Sequence, residues 1–439
     1  MTYAEAVARL LALRGGEHAG MRPGLERIQA LLAALGHPET AYTLVQVGGT
    51  NGKGSTAALL AGILKAAGRR VGLYTSPHLV SFRERIRVDG EPIAEDAVAD
   101  GVDALGTLVA RLDATMFEAT TALALDHFAR EGVEVAVLEV GLGGRLDATT
   151  VGRPAVTVLT RIDLDHQAVL GPTLAAIAAE KAAILRSGVA VSAGQAPEAA
   201  EVVRRQAAAA GVPVLFAGQD LHVRVEARSL DGQVIACAGP GWRLEGARLA
   251  LLGSYQPENA LLAVAAARAL GVPEPAVRAG LERTVWPGRF QVIEGRPALV
   301  LDGAHNPGAA AALAASLRDF FGSTPVTIVA GISADKDIPG ILRALAPAAA
   351  RAVLTRADHP RAAPPDALLA AWPPDGPPAE VAPSAREALE RAGGPDATPV
   401  VCVAGSLFLV GEVLRHLAGG ADKPCSIEKP VASMGRRSA

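Results

Sequence analysis

A chain of 439 residues exceeds the usual span of one domain, so two or three are expected. Hydrophobic residues make up 50% of it and charged residues 20%, which suits folded cores and excludes a disordered chain. Lys and Arg number 42 against 45 Asp and Glu, for a net charge of -3, so the basic excess of a general nucleic-acid binder is missing.

Residues 1–17, MTYAEAVARLLALRGGE, mix acids and arginines with apolar positions and read as an amphipathic helix rather than a signal peptide. Residues 43–47 predict a strand, followed by a glycine-rich turn and a helix over 56–67. Residues 71–74, 133–140, 155–160 and 189–191 predict further strands, apolar on both faces as in a parallel sheet covered by helices. This alternation argues for a doubly wound α/β architecture. Residues 221–252 switch to short alternating segments and predict a small antiparallel insert, before helices over 257–270 and 273–283. WPGRFQVIEGRP, residues 286–297, is a candidate hinge. A second series of strands follows at 298–302, 325–330, 351–355 and 399–404. Residues 360–377, rich in proline, read as a surface excursion, and 419–439 as a disordered tail. No apolar stretch is long enough to span a bilayer. Cys237, Cys402 and Cys425 lie far apart without metal-ligand spacing, so they read as buried or incidental thiols in a cytoplasmic protein.

The strongest local signal is GGTNGKGST, residues 48–56, between a strand and a helix. Glycines let backbone N–H groups converge on phosphate oxygens, the helix N-terminus adds its dipole, and Lys53 offers a point charge. A hydroxyl at Ser55 or Thr56 can approach phosphate or metal. The spacing departs from the standard Walker loop, because Gly54 separates the lysine from the hydroxyls. Polar residues recur where strands end, the place where open α/β sheets bind ligands. Glu139 closes VEVAVLEV, and a buried acid there is either paired or a metal ligand. Asp163, Asp165 and His166 follow AVTVLT, and taken alone His166 reads as a capping residue before a ligand. Lys181, within IAAEKAAI, taken alone reads as a snorkelling surface lysine.

Together GGTNGKGST, TSPHLVSFRERI, FEATTALAL, LEVGLGGRLDAT, DHQAVLGPTLAAIAAEKAAI, WPGRFQ and LDGAHNP resemble, in order, the blocks of the bifunctional folylpolyglutamate synthase/dihydrofolate synthase family within the muramyl ligase superfamily. The likeness runs from about residue 24 to about residue 406. Two departures stand out: Thr150 where the family commonly has Asn, and Tyr255 where it commonly has His.

The resemblance implies a P-loop-containing, doubly wound ATP-binding domain over residues 1–288 and a smaller Rossmann-like α/β domain over 289–418. It implies that ATP phosphorylates the carboxylate of dihydropteroate or of a folate, and that the amine of L-glutamate then displaces phosphate. ATP is the implied co-substrate, with Mg2+ and a monovalent cation such as K+ as cofactors. By the same match the triphosphate is held by Asn51, Gly52, Lys53, Gly54, Ser55 and Thr56, with Asn259, Arg289 and Asp302 completing the site. Mg2+ falls to Ser76, Glu139 and His166, and Lys181 is expected to carry a carbamate, so Lys53, Lys181 and His166 are the catalytic candidates. His305 is placed at the seam of the two domains. Phe117, Glu118, Leu146, Asp147 and Ala148 are placed at the pterin, with Asp147 as a bidentate acceptor for its amino group and ring N–H. Arg83 and Arg85 are candidates for the glutamyl tail. Partners are small molecules only, without nucleic acid or membrane, and a monomer is expected. A muramyl peptide ligase and a P-loop NTPase switch remain as alternatives.

Overall fold

A computed structural model describes residues 1–14, 22–394 and 397–419. Cys425 and the expected disordered tail beyond Gly419 lie outside the described residues. The first sheet has eight strands, in the spatial order Glu91–Pro92, Ile86–Val88, Val71–Tyr74, Val135–Glu139, Thr43–Gly48, Val156–Leu159, Val189–Ser192 and Val214–Phe216. Six run parallel, and the two over residues 86–92 turn antiparallel along one edge. The central strands are buried at nearly every position, which accounts for apolar runs without alternation. Strand order reverses about Thr43–Gly48, which makes its carboxyl end the topological switch point of the sheet. The helix Lys53–Ala66 leaves from there and packs beneath Gln256–Ala269 and Glu274–Arg283.

Residues 222–249 form the anticipated antiparallel insert, with strands in the order Trp242–Leu249, Gly232–Gly239 and His222–Ser229. The second sheet has six strands, in the order Gln291–Ile293, Ala298–Leu301, Val400–Ala404, Val326–Ala330, Arg351–Leu354 and Ala379–Val381. All but the first are parallel.

Two expectations are corrected, on where the helix of the loop starts and on the proline-rich segment, and the hinge segment gains local structure. The helix after the glycine-rich loop starts at Lys53 rather than residue 56. Gly52, at φ 93, takes the left-handed turn that allows this. The expected hinge contains the strand Gln291–Ile293 and is anchored, because the Phe290 N–H donates to Asp302 Oδ2 at 2.9 Å and its buried ring packs on Phe320. The proline-rich surface excursion contains the helix Pro365–Ala371, and Leu368 of the helix and Trp372 just after it pack into the core of the second sheet. Pro365 stands at the first helical position, where its missing N–H costs nothing.

Candidate active site

The phosphate-type loop is held from both sides. Thr50 and Asn51 donate backbone N–H groups to Arg161 O at 2.8 and 3.2 Å, and the Thr50 hydroxyl donates to Asp163 O. Lys53 Nζ donates to Thr50 O at 3.0 Å, and Lys181 Nζ to Gly49 O at 2.9 Å, so two ammonium groups meet one loop. Lys181 is therefore a core lysine, not a snorkelling one: it is 4% exposed. Burial, with Lys53 beside it, draws its pKa down to about 7. Lys53 is also drawn down, by the protein around it, against the pull of Glu139 and Asp165.

Asn259 and Gln256 close the loop from the helix Gln256–Ala269. A Cβ on Gly52 would lie 2.3 Å from Asn259 Oδ1, so only glycine admits this approach. Gln256 Nε2 donates to Ser55 Oγ at 3.2 Å, whereas Thr56 Oγ1 is buried without a protein partner. Asp302 is buried and accepts from Tyr255 OH at 2.6 Å. The Tyr255 departure thus supplies a hydroxyl donor of its own. Burial raises the Asp302 carboxyl, while Tyr255 and Arg289 oppose the rise.

Glu139 and Ser76 meet where Glu139 Oε2 accepts from the Ser76 N–H at 3.1 Å. Burial raises the Glu139 carboxyl, and Lys53 opposes it. His166 stands at the left-handed N-cap of a short helix, the capping position that it suggests when read alone. Its ring faces Asp165 at 3.8 Å and Lys336 at 3.5 Å, and no contact joins it to Glu139 among the described residues. A carboxylate and a hydroxyl are oxygen donors suited to a hard divalent cation, and the imidazole, its pKa drawn down by burial, is a borderline third. Among the described residues no three His, Cys, Asp or Glu side chains form a metal cluster, so the donor chemistry alone carries that fit.

Asp165 is the hub of the seam between the two sheets. It accepts from Lys336 Nζ at 2.7 Å and from Asn306 Nδ2 at 3.2 Å, and His305 Nε2 lies 3.9 Å away. Burial pushes its carboxyl up, but His166, Lys336 and His305 together hold it well below the usual carboxylate range. Asn306 also exchanges two hydrogen bonds with Asn51, at 2.9 and 3.2 Å, so the second sheet's helix touches the loop directly.

A cleft of about 300 Å³ opens over this hub. The first sheet contributes Ser76, Phe117, Glu118, Leu146, Asp147, Ala148 and His166 to its wall, and the second contributes His305, Lys336 and Phe408. The Phe117 ring lies over the backbone of Gly141, where a Cβ would come within 2.6 Å of its Cζ. Glu118 completes a capping box with Thr115 and pairs with Arg27 at 3.0 Å, so its carboxylate is structurally engaged. Asp147 is engaged too. Its Oδ2 accepts from the N–H groups of Gly141 and Leu142, and its Oδ1 from the N–H and hydroxyl of Thr149. Four donors fill the four lone-pair directions of a carboxylate, so the expected bidentate grip on a heterocycle requires some of these bonds to open. Thr150, the other departure, accepts from Gln46 and donates to Gly144 O, which ties the same loop. Arg85 lines the cleft and donates to His78, while Arg83 donates to Ile93 O and is not among the lining residues.

Lys336 and Asn306 escaped the reading of the sequence as site residues. Lys336 follows the strand Val326–Ala330 within SADKD, and a cation beyond a buried parallel strand is the signal that could have found it.

Residues 47–267 match the Mur ligase middle domain, and residues 288–407 the Mur ligase glutamate ligase domain. Folylpolyglutamate synthase of Lacticaseibacillus casei is 36% identical, over 96% of this chain and 100% of that one. A probable bifunctional folylpolyglutamate synthase/dihydropteroate synthase of Haloferax volcanii is 39% identical over 94% of this chain, which spans only 50% of that longer protein. The structure of E. coli FolC in complex with DHPP and ADP superposes with a TM-score of 0.87 at 34% identity, covering 95% of this chain and 98% of that one. Matches that run through both sheets and the seam between them carry one conclusion: this chain belongs to the folylpolyglutamate synthase/dihydrofolate synthase family of Mur ligases.

Proposed function

We propose that the protein is an ATP-dependent carbon–nitrogen ligase that joins L-glutamate to dihydropteroate and to tetrahydrofolate through an acyl phosphate. The observation that carries this reading is the continuity of two sites: Asn51 of the phosphate-type loop reaches Asn306, Asp165 and then Lys336 on the cleft wall. A nucleotide on the loop and a flat acceptor in the cleft would therefore meet over the Asp165 hub.

The attacking carboxylate and the γ-phosphate are both anionic, so positive charge must separate them. Lys53 and Lys181 stand at the loop and Asn259 closes it from the other side, with Arg289 and Asp302 completing the nucleotide's surroundings in this reading. Ser76, Glu139 and His166 would hold Mg2+, which neutralises phosphate oxygens when bound. A lysine amine near neutrality adds to carbon dioxide with loss of one proton, so Lys181 is the residue to carry a carbamate. Phe117 offers an apolar face to the acceptor ring and Leu146 and Ala148 line its pocket. We divide the chain into an ATP-binding part, residues 1–288, and a Rossmann-like part, residues 289–418.

ADP release measured with dihydropteroate or tetrahydrofolate, each with and without L-glutamate, tests the reading. Release that needs glutamate with both acceptors, and products heavier by one glutamyl residue, is the expected result. Hydrolysis independent of glutamate would point to an NTPase, and turnover only with a nucleotide-linked sugar to a muramyl peptide ligase.

A further inference from the structure

No residue of the antiparallel insert lines the cleft. One of its side chains nevertheless joins both elements that reach the phosphate-type loop from the far side. Arg228 stands near the end of the strand His222–Ser229, and its side chain is only 24% exposed. Its Nη1 donates to Asp319 Oδ2 at 2.7 Å and its Nε to Gln233 Oε1 at 3.2 Å. The guanidinium carbon lies 5.3 Å from the centre of the Phe320 ring. A planar fork that bonds in two directions and covers an aromatic ring is a task for arginine and not for lysine.

The two hydrogen-bond partners lead to the loop by separate routes. Gln233 is fully buried, and its Nε2 donates to Leu251 O at 3.0 Å and to Gly253 O at 3.1 Å. It thereby clasps the chain just before the helix Gln256–Ala269, which sends Gln256 to Ser55 and Asn259 to Gly52. Asp319 stands in the last turn of the helix Pro307–Phe321, whose N-cap Asn306 meets Asn51 about 20 Å away. Ser254 ties the two routes together: its hydroxyl donates to Asp319 Oδ2 and its N–H to Ser316 Oγ at 2.8 Å. A brace of purely local importance would join the insert to itself. Of the three groups that Arg228 meets, only Gln233 belongs to the insert, and Asp319 and Phe320 belong to the helix of the second sheet.

We propose that Arg228 is a positioning residue for the nucleotide site. By joining Gln233 to Asp319 it sets the start of one helix against the far end of the other, and so the approach of Gln256, Asn259 and Asn306 to the phosphate-type loop. The inference rests on the reading that this loop holds nucleotide, and it gives the insert a part in the reaction although the insert lines no part of the cleft.

Titration calorimetry of the full-length protein with ADP, together with KM for ATP and for tetrahydrofolate in glutamate ligation, tests it. Arg228→Met keeps the length of the side chain and removes the fork. It should weaken ADP binding and raise KM for ATP at least threefold each, while kcat and KM for tetrahydrofolate stay within twofold. Asp319→Ala opens the same joint from the other end, so it should act in the same direction, and the two changes together should be less than additive. Ile235→Val, a change at a fully buried position in the neighbouring strand, loosens the insert alone and should leave both nucleotide readouts within twofold. If Arg228→Met fails to fold, as judged by circular dichroism, Asp319→Ala decides alone. Nucleotide effects below threefold in the folded variant overturn the proposal. An equal rise in both KM values, or the same loss in Ile235→Val, also overturns it and leaves Arg228 a residue of stability only. A wild-type protein that binds no ADP would instead overturn the nucleotide reading, and the proposal with it.

Discussion

Replacing Asn306 with serine isolates the contact between the phosphate-type loop and the second sheet. Asn306 has three tasks: its Oδ1 caps the helix Pro307–Phe321 by accepting from Ala309 N, its amide group exchanges two bonds with Asn51, and its Nδ2 also donates to Asp165, a bond whose loss the cycle cancels. Serine is an equally good N-cap, so the helix keeps its start and only the seam is altered. Neutral hydrogen bonds contribute about 0.5–1.5 kcal/mol each, so the reciprocal pair couples Asn51 to Asn306 by about 1–2 kcal/mol at this half-open seam. On the scale of 1.4 kcal/mol per tenfold, that is roughly a five- to thirtyfold effect on kcat/KM for ATP. The assay is a double-mutant cycle of Asn51→Ala, Asn306→Ser and the pair, read as kcat/KM for ATP in glutamate ligation. Asn51→Ala also loses its bond to Asp163, at 2.8 Å, and the cycle cancels that contribution. Effects that add to within about 0.3 kcal/mol would refute the coupling, because the two amides would then act independently.

Lys181→Ala should abolish most ligation and leave ADP affinity within a few-fold of wild type, checked by titration calorimetry. Because burial holds this amine near 7, its neutral form grows as pH rises through 7, so a step that needs the neutral amine should speed up between about pH 6 and pH 8. His78 makes stability depend on pH. Burial, with Arg85 and Arg415 nearby, lowers its pKa to about 3, whereas the unfolded chain titrates near 6.5. Between those values only the unfolded chain takes up the proton, so stability falls as pH drops, by about 2 kcal/mol at pH 5. His78→Gln should lose that share of the slope in denaturant titrations at pH 7 and pH 5, and parallel curves for the two proteins would count against it. Asp147→Asn turns an amide donor toward N–H groups or a hydroxyl that the carboxylate now accepts from, at about 1.5–3 kcal/mol per lost charged bond. It should lower the melting temperature as well as raise KM for dihydropteroate, and an unchanged melting temperature would show that those four bonds carry little.

What was readable in the sequence was local. The strand Val71–Tyr74 and the loop at 48–56 are continuous segments whose pattern and chemistry lie within a dozen residues. The antiparallel insert announced itself by alternation and glycine turns. A seam at His305 was anticipated, but its pairings were not readable, because Asn51 and Asn306 are 255 positions apart and Asp165 and Lys336 are 171 apart. Asn51 and Asp165 stood out in the sequence, but nothing there named Asn306 and Lys336 as their partners. The helix Pro365–Ala371 was hidden by its own prolines, which favour a helix start as readily as they break a helix interior. Asp147 shows the limit of residue type: it marked an acceptor on the cleft wall but not that its own neighbours Gly141, Leu142 and Thr149 already bond to it.

The cleft takes its wall from Arg22 near one end of the chain to Phe408 near the other. During synthesis the loop's own residues are all present once residue 56 has been added, its supports Arg161, Lys181 and Asn259 follow, and Lys336 and Ser406 to Phe408 come later still. A nascent chain that reaches past Asn259 therefore holds the loop and its supports without the far wall of the cleft. The cleft is therefore walled on both sides only after residue 408 has left the ribosome.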